Sequence, residues 1–175
     1  MQTIIEPPPE RIVYCYGEYQ HTFDSVRDRV EFHEGLPDVR QFDGRSRTLL
    51  ILDDLMAEAD DSVANVFTKI SHHRDVSVIF LTQNLFHKNK HMRTISLNAH
   101  YLVLFKNPRD VTQFATLARQ MYSKNWHFAV EAFNDATSQP HSYLHIDLKS
   151  NTDEQYRLRT NIFQDEQTFV YVSKR

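Results

Sequence analysis

The chain has 175 residues, of which 41% are hydrophobic and 25% charged, with a net charge of −3 at pH 7 and a single cysteine, Cys15. That length can bury one core, and the composition is globular, without low-complexity tracts. A lone cysteine excludes an internal disulfide framework, the charge excludes a surface that is basic overall, and no apolar run approaches membrane-spanning length. A single domain over 1–175 is expected, soluble and intracellular, with no signal peptide and no membrane partner.

After the N-terminal EPPPE, Arg11–Tyr16 (RIVYCY) reads as a strand stopped by Gly17. Phe23–Val30 reads as a short helix with Phe23, Val26 and Val30 on one side, and Val30–His33 as a brief strand before the turn EGLPD. Thr48–Leu52 is apolar throughout rather than alternating, the pattern of a strand buried on both faces in a parallel sheet. Asp60 or Asp61 is positioned to cap a helix whose apolar residues are Val63, Val66, Phe67 and Ile70. Val76–Leu81 (VSVIFL) and Tyr101–Phe105 (YLVLF) are further buried strands, separated by a polar stretch read as loop. Asp110 caps a second helix with Val111, Phe114, Ala115, Ala118 and Met121, and Trp126, Ala129, Val130 and Phe133 place a third. Tyr143–Ile146, Leu158–Ile162 and Phe169–Val172 are late strands. Alternating strands and amphipathic helices predict an α/β fold with a mostly parallel sheet flanked by helices, whose ligands bind at the carboxyl ends of the strands.

Two strands end there in polar residues. Thr48–Leu52 runs into Asp53 and Asp54, and Val76–Leu81 into Thr82, Gln83 and Asn84. A carboxylate at a strand tip suits Mg²⁺, which takes oxygen ligands and keeps several waters, and a second acid can orient or deprotonate a water. A neighbouring Gln83 can position that water or contact a γ-phosphate. The plainer alternative is a solvated turn, since Asp, Thr and Asn also form turns locally. HKNKHMRT (His87–Thr94) gathers Lys88, Lys90 and Arg93, either as a phosphate contact or as a solvated basic loop. Zinc at His87 and His91 lacks a helix, a cysteine or a carboxylate to complete it. His72 and His73 read as structural or surface residues. Cys15 lies within a strand and has no evident partner for nucleophilic catalysis.

LLILDDLM, a helix, VIFLTQNLF and then HKNKHMRTISLNAHYLVLFKNPRD together resemble the genome-packaging ATPases of Polinton (Maverick) elements, adintoviruses and related large DNA viruses. These belong to the FtsK–HerA branch of P-loop NTPases, with an ASCE/RecA-like fold. The resemblance runs from PPPERIVYCYGEYQ to Phe169–Val172. It implies that Asp53 is the Mg²⁺ residue, acting through water, and Asp54 the acid that activates water. Gln83 would be the polar sensor and Arg93 an arginine finger, with Arg109 as a second nucleotide-contacting arginine. It implies Mg²⁺ and ATP as cofactors, and double-stranded DNA, a homo-oligomeric ring and capsid proteins as partners. It also implies action at the virion assembly site, in the nucleus or cytoplasm of the host cell.

The departure is in the glycines. A P-loop is G-x-x-x-x-G-K-[ST], whose backbone N–H groups and Lys cradle phosphates. This chain has only Gly17, Gly35 and Gly44, and no Gly-Lys-Ser/Thr. In the relatives that loop and its strand precede the segment where this chain begins, and the strand lies between the counterparts of Val76–Leu81 and Tyr101–Phe105. The first strand and phosphate loop are therefore expected to be missing, with no cofactor bound and no ATP hydrolysed by this chain alone. Two other functions remain. One is a non-catalytic remnant that joins intact subunits or DNA. The other is a metal-dependent nuclease, which would need more carboxylates, such as Glu58, Asp60 and Asp61, beside Asp53 and Asp54.

Overall fold

The computed structural model describes residues 4–55, 61–70, 75–84, 90–109, 112–163 and 165–174. The chain forms two compact units, one over Ile5–Asn98 and the other mainly over Ala99–Arg175.

The first unit is built on four parallel strands, β1 (Arg11–Tyr16), β2 (Glu31–Glu34), β3 (Thr48–Asp53) and β4 (Val76–Leu81), in the order β2-β1-β3-β4. β3 pairs on both sides, with Leu50 opposite Val13 of β1 and Val78 of β4. Because side chains alternate across a strand, Val13, Cys15, Leu50, Leu52, Val78 and Phe80 share one face. That face meets Val63 of α1 (Asp61–Asn65), Val66 and Phe67 of the wider π-type turn that continues it to Ile70, and Met92 and Ile95 of α2 (Lys90–Asn98). Leu50 and Leu52 are fully buried. The opposite face carries Tyr14, Tyr16, Ile51 and Asp53. There Phe23, from a 3-10 turn over His21–Val26, stacks on Phe32 at 4.7 Å and meets Tyr14 at 5.2 Å.

Two local readings change. The Phe23–Val30 helix is only the 3-10 turn, because Phe23 is its one buried residue and a single anchor does not hold an amphipathic face. Conversely, the stretch read as loop ends in α2, because Met92 and Ile95, one helical turn apart, are both buried against the sheet. The capping expected of Asp60, Asp61 and Asp110 falls outside the described side chains.

The second unit is a four-stranded antiparallel sheet in the order β5-β6-β7-β8, made of β5 (Tyr101–Phe105), β6 (Tyr143–Asp147), β7 (Leu158–Arg159) and β8 (Val170–Tyr171). The helices α3 (Thr112–Met121) and α4 (Trp126–Ala136) lie between β5 and β6 in sequence. Phe114 of α3 stacks on Phe133 of α4 at 4.4 Å. Leu102, Leu144, Ile146 and Leu158 form the buried side of the sheet, and Tyr171 on that side donates from its hydroxyl to Asp135 of α4 at 2.6 Å.

Tyr101–Phe105 therefore does not extend the parallel sheet. It pairs antiparallel with β6, Tyr101 opposite Asp147 and Phe105 opposite Tyr143. Its apolar run conceals a one-sided strand, in which Leu102 is buried while Tyr101, Val103 and Phe105 are exposed. The late strand read over Leu158–Ile162 stops at Arg159, and the left-handed backbone of Asn161, with φ 53°, breaks the extended run.

Candidate functional site at the tips of β3 and β4

Asp53 is the last residue of β3, and the register sets it opposite Leu81 of β4 and Tyr16 of β1. Gln83 follows Leu81 by two residues and is exposed. Asp53, Asp54 and Gln83 thus gather at the carboxyl ends of two adjacent parallel strands, as the alternation of strands and helices leads one to expect.

The two acids are held differently. Asp53 is half-buried, and the Tyr14 hydroxyl of β1 donates to its Oδ2 at 2.6 Å. Burial, and then this bond to the carboxylate, raise the Tyr14 phenol above its ordinary range, so it remains a donor at any physiological pH. Asp54 is exposed and takes a left-handed backbone, φ 52°, which Asp tolerates better than most residues. Its carbonyl runs close to the end of β1, where a Cβ added at Gly17 would lie 3.3 Å from the Asp54 oxygen. Gly17 lets that turn fold against β1.

Tyr14 and Gly17 are the residues that sequence reasoning missed. The available signal was the alternation of RIVYCY, which puts Tyr14 and Tyr16 on one face, but which face neighbours Asp53 depends on register. Tyr14→Phe retains the ring contacts with Phe23 and Phe32 and removes only the hydroxyl. It is expected to cost about 1–2 kcal/mol, read as a lower urea midpoint with an unchanged slope. A change within error would show that Tyr14 does not hold Asp53.

The remaining candidates stand elsewhere. Arg93 is on the exposed side of α2, and among the described residues no ion pair joins it to either aspartate. Arg109 follows β5 in the second unit, exposed, with its backbone N–H bonded to Asn107 Oδ1 at 3.1 Å. Lys88, His87, His72, His73, Glu58 and Asp60 fall outside the described residues, as do the side chains of Lys90, His91 and Asp61. Among the described residues no three His, Cys, Asp or Glu side chains converge as a metal cage. Burial pushes the Cys15 thiol up to about 12, so it carries no thiolate at neutral pH.

Asp53 and Asp54 supply carboxylate oxygens of the kind a hydrated Mg²⁺ takes. For the phosphate side, none of the three glycines precedes a lysine. Gly17 closes β1 rather than opening a helix. No family model matches the chain, and no curated protein or solved structure matches it either. No helix among the described residues is long and apolar enough to cross a membrane.

Proposed function

We propose that the first unit is the acid-and-sensor half of a nucleotide-hydrolysing site of the DNA-packaging type, related to P-loop ATPases that drive double-stranded DNA into a capsid. What supports this reading above all is the meeting of Asp53, Asp54 and Gln83 at the ends of paired parallel strands. In it, Asp53 would hold Mg²⁺ through water, and Asp54 and Gln83 would orient an attacking water and meet the terminal phosphate once a phosphate loop is supplied. Arg93 and Arg109 are the arginines available to a neighbouring subunit's nucleotide. DNA, a ring of like subunits and capsid proteins are the partners that follow from the same reading.

Mn²⁺, standing in for Mg²⁺, tests the metal end directly. It is expected to broaden the backbone amide signals of Asp53, Asp54 and Gln83 selectively, and Asp53→Asn is expected to abolish the effect. Uniform broadening, or broadening that survives Asp53→Asn, overturns the assignment.

The same chain is expected to hydrolyse no ATP alone with Mg²⁺ and DNA, for want of a phosphate cradle. Turnover of about 1 s⁻¹ or more that Asp53→Ala abolishes would refute this. The missing cradle and the Tyr14 bond on Asp53 favour one second reading, a non-catalytic module that associates with intact subunits. Co-purification with an intact packaging ATPase, with no gain in turnover, would select it.

A further inference from the structure

We infer that the open face of the antiparallel sheet in the second unit binds single-stranded nucleic acid. The register fixes what that face carries: Tyr101, Val103 and Phe105 of β5, opposite Asp147, His145 and Tyr143 of β6, with Arg159 of β7 opposite His145. The β5 residues are open to solvent, Tyr101 at 47%, Val103 at 43% and Phe105 at 60% exposure. The opposite side of β5 carries buried Leu102, while on this face His145 and Asp147 of β6 are covered and the β5 rings stay open. Tyr101 and Phe105, four residues apart on one strand, stand about 13 Å apart by strand rise. Phe105 has the Tyr143 ring beside it at 5.8 Å, and Tyr101 has the His145 ring at 5.3 Å. The open rings on the face are therefore Tyr101 and Phe105, with Tyr143 half-buried beside Phe105 and the His145 ring buried beside Tyr101.

Its charge is complementary to phosphate. The Lys149 ammonium lies 5.1 Å from the Tyr101 ring centre, at one end of the row. Lys106 and Arg109 follow Phe105 at the other end, both exposed. The carboxylate on the face, Asp147, is already paired with Arg159 Nη2 at 2.8 Å and accepts from the Lys149 backbone N–H at 3.1 Å.

Aromatic rings on an open sheet with cations at both ends suit an unpaired strand. Each exposed base offers a π-face, and the backbone tracks the positive groups. A duplex keeps its bases stacked inside and would leave these rings against sugar and phosphate. The inference does not depend on the nucleotide site proposed for the first unit. Its readout is free of ATP and Mg²⁺, so either can fail while the other stands.

The test is fluorescence anisotropy of the full chain with labelled oligo(dT), oligo(U) and a DNA duplex, each of about 16 nucleotides or base pairs, the upper site size for one such platform. Both single strands are expected to bind more tightly than the duplex. Selective binding of oligo(dT) would narrow the ligand to DNA, and of oligo(U) to RNA. Phe105→Ala and Tyr101→Ala are each expected to weaken single-strand binding by about tenfold. Tyr156→Ala, an exposed ring off this face, should leave it unchanged, and Lys149→Glu should flatten its salt dependence. Phe105 is solvent-facing, so its variant retains the fold, which circular dichroism confirms. The inference is overturned by absent binding, by binding indifferent to both ring deletions, or by equal affinity for duplex. Self-association that Phe105→Ala abolishes would likewise overturn it and give the face to a second copy of the chain.

Discussion

Leu52→Ala is expected to destabilise the first unit by about 2–5 kcal/mol, a large part of the roughly 5–15 kcal/mol that holds a typical domain together. Leu52 is fully buried on the central strand, one residue before Asp53, among Cys15, Phe80 and the side chains of α1 and α2. Truncation removes apolar contact on both flanks, and neither β1 nor β4 can close the gap without disturbing the ladder. The measurement is urea unfolding followed by near-ultraviolet circular dichroism. A loss under about 1 kcal/mol would mean that Leu52 packs against nothing rigid. The same substitution should loosen the turn that presents Asp53 and Asp54, since the strand beneath them is what fixes it.

Asp147→Ala has the second largest expected effect, about 1–3 kcal/mol at neutral pH. Asp147 is buried on β6, accepting from Arg159 and from the Lys149 backbone. Burial by itself pushes its carboxyl up. The Lys149 N–H, the Thr152 hydroxyl and the charges of Lys149 and Arg159 outweigh that, so the net shift is downward. A carboxyl whose folded value lies below its unfolded value stabilises above the unfolded value, near 3.9, and loses that contribution as pH falls through the folded one. The gap between wild type and Asp147→Ala should thus be flat from neutral pH to about 4 and shrink below it. A gap that widens on acidification would refute this account of the Arg159 pair.

Strand positions were the most legible part of the fold. Ile12–Tyr16, Leu49–Leu52, Val78–Leu81 and Tyr101–Phe105 are unbroken apolar runs, and burial demands such runs wherever a strand has little solvent-facing side. Sheet membership was not legible, because a pairing partner is chosen by packing over distances that a linear pattern does not encode. YLVLF shows the difficulty: Tyr, Val and Phe point outward on β5, and nothing in their chemistry separates them from the inward pair of leucines. The helix at Lys90–Asn98 was hidden by its polarity, with Met92 and Ile95 its only buried residues among the described side chains.

Of the candidate site, the places of Asp53, Asp54 and Gln83 could be read from the chain because each sits at or just past the end of a strand. Tyr14 could not, since its bond to Asp53 spans 39 positions of sequence and depends on a diagonal register. Arg93 and Arg109 were assigned by resemblance; Arg93 stands on the exposed side of α2 and Arg109 belongs to the second unit.

The parallel arrangement of the first unit also shapes how the chain matures as it is made. Parallel neighbours cannot be joined by a tight hairpin, so each pairing waits for a long crossover. Residue 11 meets residue 48, and residue 48 meets residue 76. Until the ribosome has released Leu81, the central strand has at most one partner and its leucines face water or a chaperone. At synthesis rates of about 5–20 residues per second, that is an interval of seconds in which the most apolar stretch of the nascent polypeptide is unsheltered.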